Sequence, residues 1–312
     1  MRNVTVRQLQ IFVAASQAQS FARAAERLRL SPAAVSFQIR QIEDLSGVAL
    51  FERIGRKVVP TEAGTALLGY ARIVLQALAD GDQALTALRG GVGGRITIGA
   101  ISTAKYLVPH VLARFQAAYP AVAIHLRDGN RREIADALAG GAIDLAVMGR
   151  PAETADVQAT PFAAHPSVVI APAGHPLADR TELPPAALAG ERFIAREDGS
   201  GTRALLDQLC RDAGFAPHIA MTTSSNETIK QAVMAGMGIA LISRHTIGLE
   251  LALGLLRTLP VDGFPLLRQW FVAHRSAMPL LPVHVRLRAF LLEQGQEVID
   301  ALERRYAAAA GG

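Results

Sequence analysis

The sequence predicts an α+β multidomain chain: a small helical module with a β-hairpin, then one long helix, then a two-lobed α/β region. Three observations carry that expectation. Three short amphipathic helical patterns and a cation-bearing turn occupy the first 61 positions. From Thr61 no strand signal appears until Arg95, and that stretch closes on Gly90-Gly91-Val92-Gly93-Gly94. Beyond it, short apolar runs alternate with helical patterns, the rhythm of an open sheet covered by helices. The expected domains are residues 1–61, a linker over 62–94, and 95–312. The last divides into a first lobe (about 95–163 and 268–305) and a second (about 164–267).

In the front module, Leu9, Phe12, Val13 and Ser16 share one helix face, the i, i+3, i+4, i+7 spacing of a buried stripe. After Gln17-Ala18-Gln19, Ser20 is placed to cap a second helix with Phe21, Ala24, Ala25 and Leu28 inside. The two alanines let short helices cross closely at a steep angle. A third helix follows the turn Arg29-Leu30-Ser31, with Ser31 as cap and Pro32 at the first position, where its missing N–H costs nothing. Val35, Ile39 and Ile42 form its buried stripe, leaving Ala33, Ala34, Ser36, Phe37 and Arg40 on the other side. Small and polar side chains at a helix start allow close approach to base edges in a duplex, and the helix end favours phosphate. Ser31, Pro32, Ala33, Ala34, Ser36, Phe37 and Arg40 are therefore the candidate DNA-reading residues. Residues 49–61 read as two extended pieces around Ile54-Gly55, a wing whose Arg53, Arg56 and Lys57 would lie along a phosphate backbone.

Charge agrees with this reading. The 312 residues carry a net charge of +5. Residues 1–62 hold nine Arg/Lys against five Asp/Glu, while the remaining 250 hold 23 against 22. A basic front on a near-neutral body implies a polyanionic partner. The opening residues lack the apolar h-region of a secretory signal. No apolar run approaches the roughly 20 residues that cross a bilayer, so a soluble cytoplasmic protein is expected. Cys210 is the single cysteine, which excludes an intramolecular disulfide and a multi-cysteine metal site, and its pattern reads as the inside of a helix. The eight histidines show no metal-ligand spacing. Nor does a Ser–His–Asp order or a carboxylate pair look like a catalytic set. Neither enzyme activity, metal nor cofactor is expected.

Along the long helix Ala71, Val74, Leu78, Leu85 and Leu88 fall on alternating three- and four-residue steps, with Gly81 at the gap. That is the seam of a short coiled coil, with packing against the front module as the alternative. A reader of palindromic half-sites needs a two-fold partner, which favours the seam. The glycine run after it reads as a hinge.

From Arg95 the order is strand 96–98, a helix with Leu107, Val111 and Phe115, strand 122–126, helix 133–139 and strand 143–147, implying a mostly parallel sheet. A second unit starts near Ser167, and the strand 269–273 and the helix after Pro282 return to the first. Two such lobes leave a cleft at strand ends, where open sheets bind ligands. Ser102, Thr103 and Lys105 sit where a strand becomes a helix and offer free amides, hydroxyls and a cation to an anion. Ser200, Gly201, Thr202 and Arg203 repeat the arrangement in the second lobe, with glycines that let amides turn inward. Arg150 follows a buried strand at the crossover between lobes, and Asn130 ends the second strand. Glu227 reads as a helix start rather than as chemistry.

The segment Phe21-Ala22-Arg23-Ala24-Ala25-x-x-Leu28-x-Leu30-Ser31-x-x-Ala34-Val35-Ser36-x-Gln38-Ile39-x-x-Ile42-Glu43 resembles the winged helix-turn-helix of LysR-type transcriptional regulators. The run Leu50-Phe51-Glu52-Arg53 with Arg56 and Thr61-Glu62-Ala63-Gly64 resembles that family's wing and exit. Two departures stand out: Pro32-Ala33 where the family usually has Gln-Pro, and Pro60 where leucine is common. The first removes an amide that could read a base. The resemblance implies a two-lobed, periplasmic-binding-protein-like effector domain, a homodimer through the linker helix and a homotetramer. It also implies promoter DNA and RNA polymerase as partners, with a small-molecule effector. The pieces Ser102-Thr103-Ala104-Lys105-Tyr106, Asp128 to Glu133 and Met148-Gly149-Arg150-Pro151 resemble the narrower CbbR subgroup, regulators of Calvin-cycle (RuBisCO) operons. This implies activation of CO2-fixation genes by a phosphorylated or carboxylated metabolite. A LysR-type regulator of aromatic or amino-acid metabolism, and a solute binder or enzyme on the two-lobed half, are the competing readings. A transport binder would need a secretion signal, and neither of the last two explains the front module.

Overall fold

The computed structural model describes residues 3–55, 57–88, 94–151 and 156–310. Arg56, and the glycine run up to Gly93, lie outside the described residues. The chain divides at Arg89–Gly90 into two compact units.

In the first unit α1 (Val6–Ala18) opens with a capping box between Thr5 and Gln8. The caps expected at Ser20 and Ser31 are formed at the starts of α2 (Phe21–Leu28) and α3 (Pro32–Ser46). Gln19 and Arg29 end α1 and α2 in the left-handed region (φ 48° and 55°), so both tight turns are made without glycine. Phe12, Ala24, Ala25, Val35, Ile39, Ile42 and Leu50 form the core. β1 (Phe51–Ile54) and β2 (Lys57–Pro60) pair as an antiparallel hairpin. Glu43 of α3 accepts hydrogen bonds from the amides of Leu50 and Phe51 (2.8 and 3.3 Å), which ties the wing to the third helix.

Helix α4 (Glu62–Leu88) runs unbroken for 27 residues, about 40 Å at 1.5 Å per residue. Its first turns belong to the front module, because Leu67 and Ala71 are buried in that core. Ala71, expected in the partner seam, is thus taken by its own unit. The seam residues left open are Val74, Leu78 (47% exposed) and Leu85 (62%); the side chain of Leu88 lies outside the described ones.

The second unit begins with β3 (Gly94–Ile101), α5 (Val108–Ala118), β4 (Val122–Gly129), α6 (Arg131–Ala139) and β5 (Leu145–Met148). It continues through β6 (Val157–Pro172), β7 (Arg192–Arg196), α7 (Gly201–Asp212), β8 (His218–Thr223), α8 (Asn226–Met234) and β9 (Ala240–Ser243). It ends with α9 (Gly248–Ala252), β10 (Leu256–Thr258), β11 (Leu266–Arg275) and α10 (Pro282–Ala310). One seven-stranded sheet has the order β10-β6-β11-β5-β3-β4, with β9 also on β6, and β7 and β8 form a separate parallel pair. In the large sheet only β3 pairs in parallel, with β4 and β5; the other pairings are antiparallel. This corrects the expected mostly parallel sheet. The cause is connectivity: β6 carries the chain out to the second lobe and β11 brings it back, so the two lie antiparallel from Leu266↔Ser167 to Arg275↔Val157. One core gathers Phe115, Trp270, Leu287 and Phe290; another gathers Phe193, Leu206, Cys210, Leu241 and Val261. Among the described residues no helix is long and apolar enough to cross a membrane.

Candidate DNA interface and ligand cleft

Helix α3 turns Val35, Ile39 and Ile42 inward, which leaves Ser31, Pro32, Ala33, Phe37 and Arg40 exposed and Ala34 and Ser36 half-buried. The Ser31 hydroxyl accepts from the Ala34 amide (3.1 Å), so its structural duty as a cap is visible. Phe37 is 55% exposed, an apolar surface suited to a thymine methyl group. Arg40 lies one turn on, its guanidinium donating to the Ser36 hydroxyl (3.4 Å). Arg53 and Lys57 stand exposed on the two strands of the wing, while Arg56 lies outside the described residues.

In the second unit Ser102 and Thr103, from the end of β3, line one cleft with Ser200, Gly201 and Thr202, from the start of α7. Four polar side chains that sequence reasoning missed complete it: Arg131, His165, Arg196 and Arg268. Arg131 starts α6 and Arg196 ends β7, while His165 and Arg268 lie on β6 and β11.

These groups play different parts. Arg196 is buried and makes a two-pronged pair with Glu197 (2.7 and 2.9 Å). It also donates to the Asn226 carbonyl oxygen (2.8 Å) and to the Ser102 hydroxyl (2.9 Å). Asn226 in turn donates to the Ser102 backbone carbonyl (3.0 Å). The result is a clasp between β7, α8 and the end of β3. Burial works against ionised Glu197, but the hydrogen bonds and charge of Arg196 outweigh it and hold the carboxyl below its ordinary range. The charge of Arg196 is therefore matched.

Arg131 and Arg268 are not matched. A methyl group placed on Gly201 would lie 3.7 Å from Arg131 Nη1 and 3.9 Å from Arg268 Nη1, so both guanidiniums converge on the first turn of α7. Arg131 donates to the Arg150 carbonyl (2.8 Å) and Arg268 to the Ser167 hydroxyl (3.2 Å). Among the described residues neither pairs with a carboxylate, and the Nε of Arg268 is buried with no partner. Burial, and then the charge of Arg131, push the Arg268 guanidinium down to about 10. His165 is 2% exposed, stacks on Trp270 at 3.6 Å, and leaves both ring nitrogens without a hydrogen bond. Burial first, then Arg268 and His245, push its pKa down to about 2, so it is neutral at pH 7. Two unmatched cations, a helix start with its open amides, hydroxyls and one neutral imidazole are what a multiply charged oxyanion needs.

Four expected residues are occupied elsewhere. Lys105 lies over the Tyr106 ring (5.6 Å) and does not line the cleft. Asn130 caps α6: its side chain accepts from the Glu133 amide, and its own amide donates to the Glu133 carboxylate (both 2.9 Å). Arg203 is held by Asp207 (2.9 Å) and Asp198 (3.3 Å). Arg150 sits over Phe271 (5.7 Å) and lines an outer recess that shares Arg131, Gly149 and Arg268 with the cleft. Glu227 pairs with Lys230 (2.8 Å) on α8, as its reading as a helix-start residue implied.

A winged reading helix in one unit and a two-lobed, oxyanion-ready cleft in the other define a ligand-responsive DNA-binding regulator. Residues 6–65 match the family described as bacterial regulatory helix-turn-helix protein, lysR family, and residues 89–296 match the LysR substrate binding domain; the chain belongs to the LysR family of transcriptional regulators. It is 46% identical over 299 residues to the HTH-type transcriptional regulator CfxR of Cupriavidus necator, covering 96% of this chain and 94% of that one. It is 40% identical over 292 residues to the RuBisCO operon transcriptional regulator of Allochromatium vinosum, covering 94% and 97%. Among solved structures, the Synechocystis CcmR regulatory domain in complex with 2-PG is 36% identical, with a TM-score of 0.61 over 64% of this chain and 96% of that one.

Proposed function

We propose that this protein is a cytoplasmic regulator, chiefly an activator, of RuBisCO (Calvin-cycle) operon transcription, and that it responds to a phosphorylated metabolite bound in the cleft. Residues 1–61 read promoter DNA, α4 pairs two copies and residues 95–312 sense the ligand. The observation that carries the ligand class is the pair of unmatched guanidiniums, Arg131 and Arg268, at the start of α7. The likeness to regulators named for RuBisCO operons, and to a regulatory domain named with bound 2-PG, supports the pathway.

In this mechanism Arg131, Arg268 and the amides of α7 hold the phosphoryl group, while Thr103 and the neutral His165 serve the remaining oxygens. The Arg196–Asn226–Ser102 clasp sets how the lobes close. Two copies joined along Val74, Leu78 and Leu85 put their α3 helices into major grooves about 34 Å apart. Pairing of dimers into a tetramer, and contact with RNA polymerase, complete the assembly. Ligand changes the output only by binding the two DNA-bound arrangements unequally. Calorimetry with 2-phosphoglycolate and with glycolate tests the cleft, and footprinting on the region upstream of a carboxylase operon tests the output. We expect the phosphorylated compound alone to bind and to alter the footprint. Failure to bind any phosphorylated acid, or no preference for that promoter over random duplex, would reject the reading.

A further inference from the structure

A second cavity, separate from the cleft, opens between α9 and the C-terminal half of α10. Its volume is about 200 Å³, enough for a single benzene-sized ring. Leu107, Leu251, Ile299 and Leu302 give it an apolar floor and wall. Gly248 makes room for one side of it, since a methyl group there would collide with the Tyr306 ring.

The polar corner of this cavity has a defined hydrogen-bonding pattern. The Trp270 indole, which can only donate, gives its N–H to His245 Nδ1 at 3.1 Å. The proton of neutral His245 is thereby placed on Nε2. That N–H faces Glu303 Oε1 at 3.6 Å, and Arg244 Nε lies 3.7 Å from the same oxygen. Both gaps exceed hydrogen-bond reach. Arg244 and Glu303 are thus within ion-pair distance, while the His245 N–H and the Glu303 carboxylate stand side by side with no hydrogen bond between them. A hydroxyl satisfies both, accepting from His245 and donating to Glu303. A carboxylate does not, because Arg244 already pairs with Glu303 and a second negative charge there is left unmatched.

The corner is also joined to the cleft. His245 holds the Trp270 edge, and the Trp270 face lies 3.6 Å from His165, which lines the cleft. We propose that this cavity is a second ligand site, for a neutral ring-sized molecule carrying one hydroxyl, linked to the anion cleft through His245, Trp270 and His165. The link rests on the reading of the cleft given above; the site itself does not.

Fluorine NMR on the full-length protein, with 4-fluorophenol as the probe and fluorobenzene and 4-fluorobenzoate beside it, tests the site. We expect 4-fluorophenol to bind at least ~5-fold more tightly than either, the worth of one hydrogen bond. Ala252→Phe, at the cavity wall, should abolish binding, and Arg268→Met, in the cleft, should leave it. Trp270 is the only tryptophan, so its emission in the unaltered protein should shift with the same midpoint. Equal binding of fluorobenzene, persistence in Ala252→Phe, or an unmoved Trp270 emission would each overturn the site. Saturating 2-phosphoglycolate should change the 4-fluorophenol dissociation constant by ~5-fold or more. An unchanged constant, with both compounds bound, would overturn the link alone. If 2-phosphoglycolate does not bind while 4-fluorophenol does, the cleft reading fails and the second site stands.

Discussion

Arg53 and Lys57 stand in solvent on an exposed hairpin, whereas Arg131 and Arg268 converge inside a cleft beside a helix start. Both pairs suit phosphate, but in opposite surroundings. An exposed cation keeps its hydration and is screened by salt, so each phosphate contact is weak and strength comes from their number. A half-buried guanidinium without a counter-charge, as at Arg268 with its buried Nε, has lost part of its water. It is costly to the unliganded fold, and it recovers that cost only when the right anion arrives. One setting gives a long-range, unselective grip on a polyanion; the other gives selectivity for a small one.

The comparison makes predictions of graded size. If the exposed set acts by number, separating the two copies should hurt most. Leu78→Glu with Leu85→Glu should dissociate the dimer and weaken promoter binding by ~10²–10⁴-fold, the scale of lost bivalency; sedimentation and fluorescence anisotropy read the two effects. A dimer that survives both charges would mean that α4 is not the seam. Next comes Arg268→Met. Removing one buried charged partner is worth at least about 2 kcal/mol, so calorimetry should show 2-phosphoglycolate bound ~30-fold or more weakly. The unliganded protein should at the same time melt higher, because an unmatched, half-buried charge is gone. A lower melting temperature would show that Arg268 is a structural residue, and the contrast between the regions would fail. Lys57→Ala should cost only about fivefold in affinity, lower the log–log salt slope by about 0.9, and leave site preference unchanged.

What could be read in advance follows the range of the forces involved. Ser20, Ser31 and Pro32 were legible as helix starts because a cap is settled within three residues. Ser102, Thr103 and Ser200 to Thr202 were legible as cleft residues for the same reason: a strand turning into a helix leaves a local trace. Arg268 and His165 left none. Their strands read as apolar runs, and the side facing the cleft is set by pairing β6 with β11, about a hundred residues apart in the chain. Lys105 and Arg203 do not line the cleft, for a different reason. Their backbones are near the right place, but a long flexible side chain goes to whatever its neighbours offer, here Tyr106 in one case and Asp198 and Asp207 in the other. Ala71 shows a third limit, since one three-four spacing serves a partner helix and the module's own core equally well.

The smallest expected effect tests whether the cleft is as dry and positive as the contrast requires. Burial, then Arg268, then His245 hold the folded His165 at about 2, while an unfolded histidine titrates near 6.5. Between these values the unfolded chain binds a proton that the folded chain refuses, so stability falls as pH drops through 6.5. From pH 7 to pH 6 one such histidine costs about 0.7 kcal/mol. His245, held near 4 by burial and then Arg244, contributes in the same direction. His165→Phe keeps a ring against Trp270 and removes the titrating group. Urea unfolding at the two pH values should therefore show this variant losing about 0.7 kcal/mol less than the unaltered protein. An identical loss would mean that His165 takes up its proton as readily in the folded chain as in the unfolded one, and a site able to charge that imidazole beside two guanidiniums would be wetter and less cationic than the geometry shows.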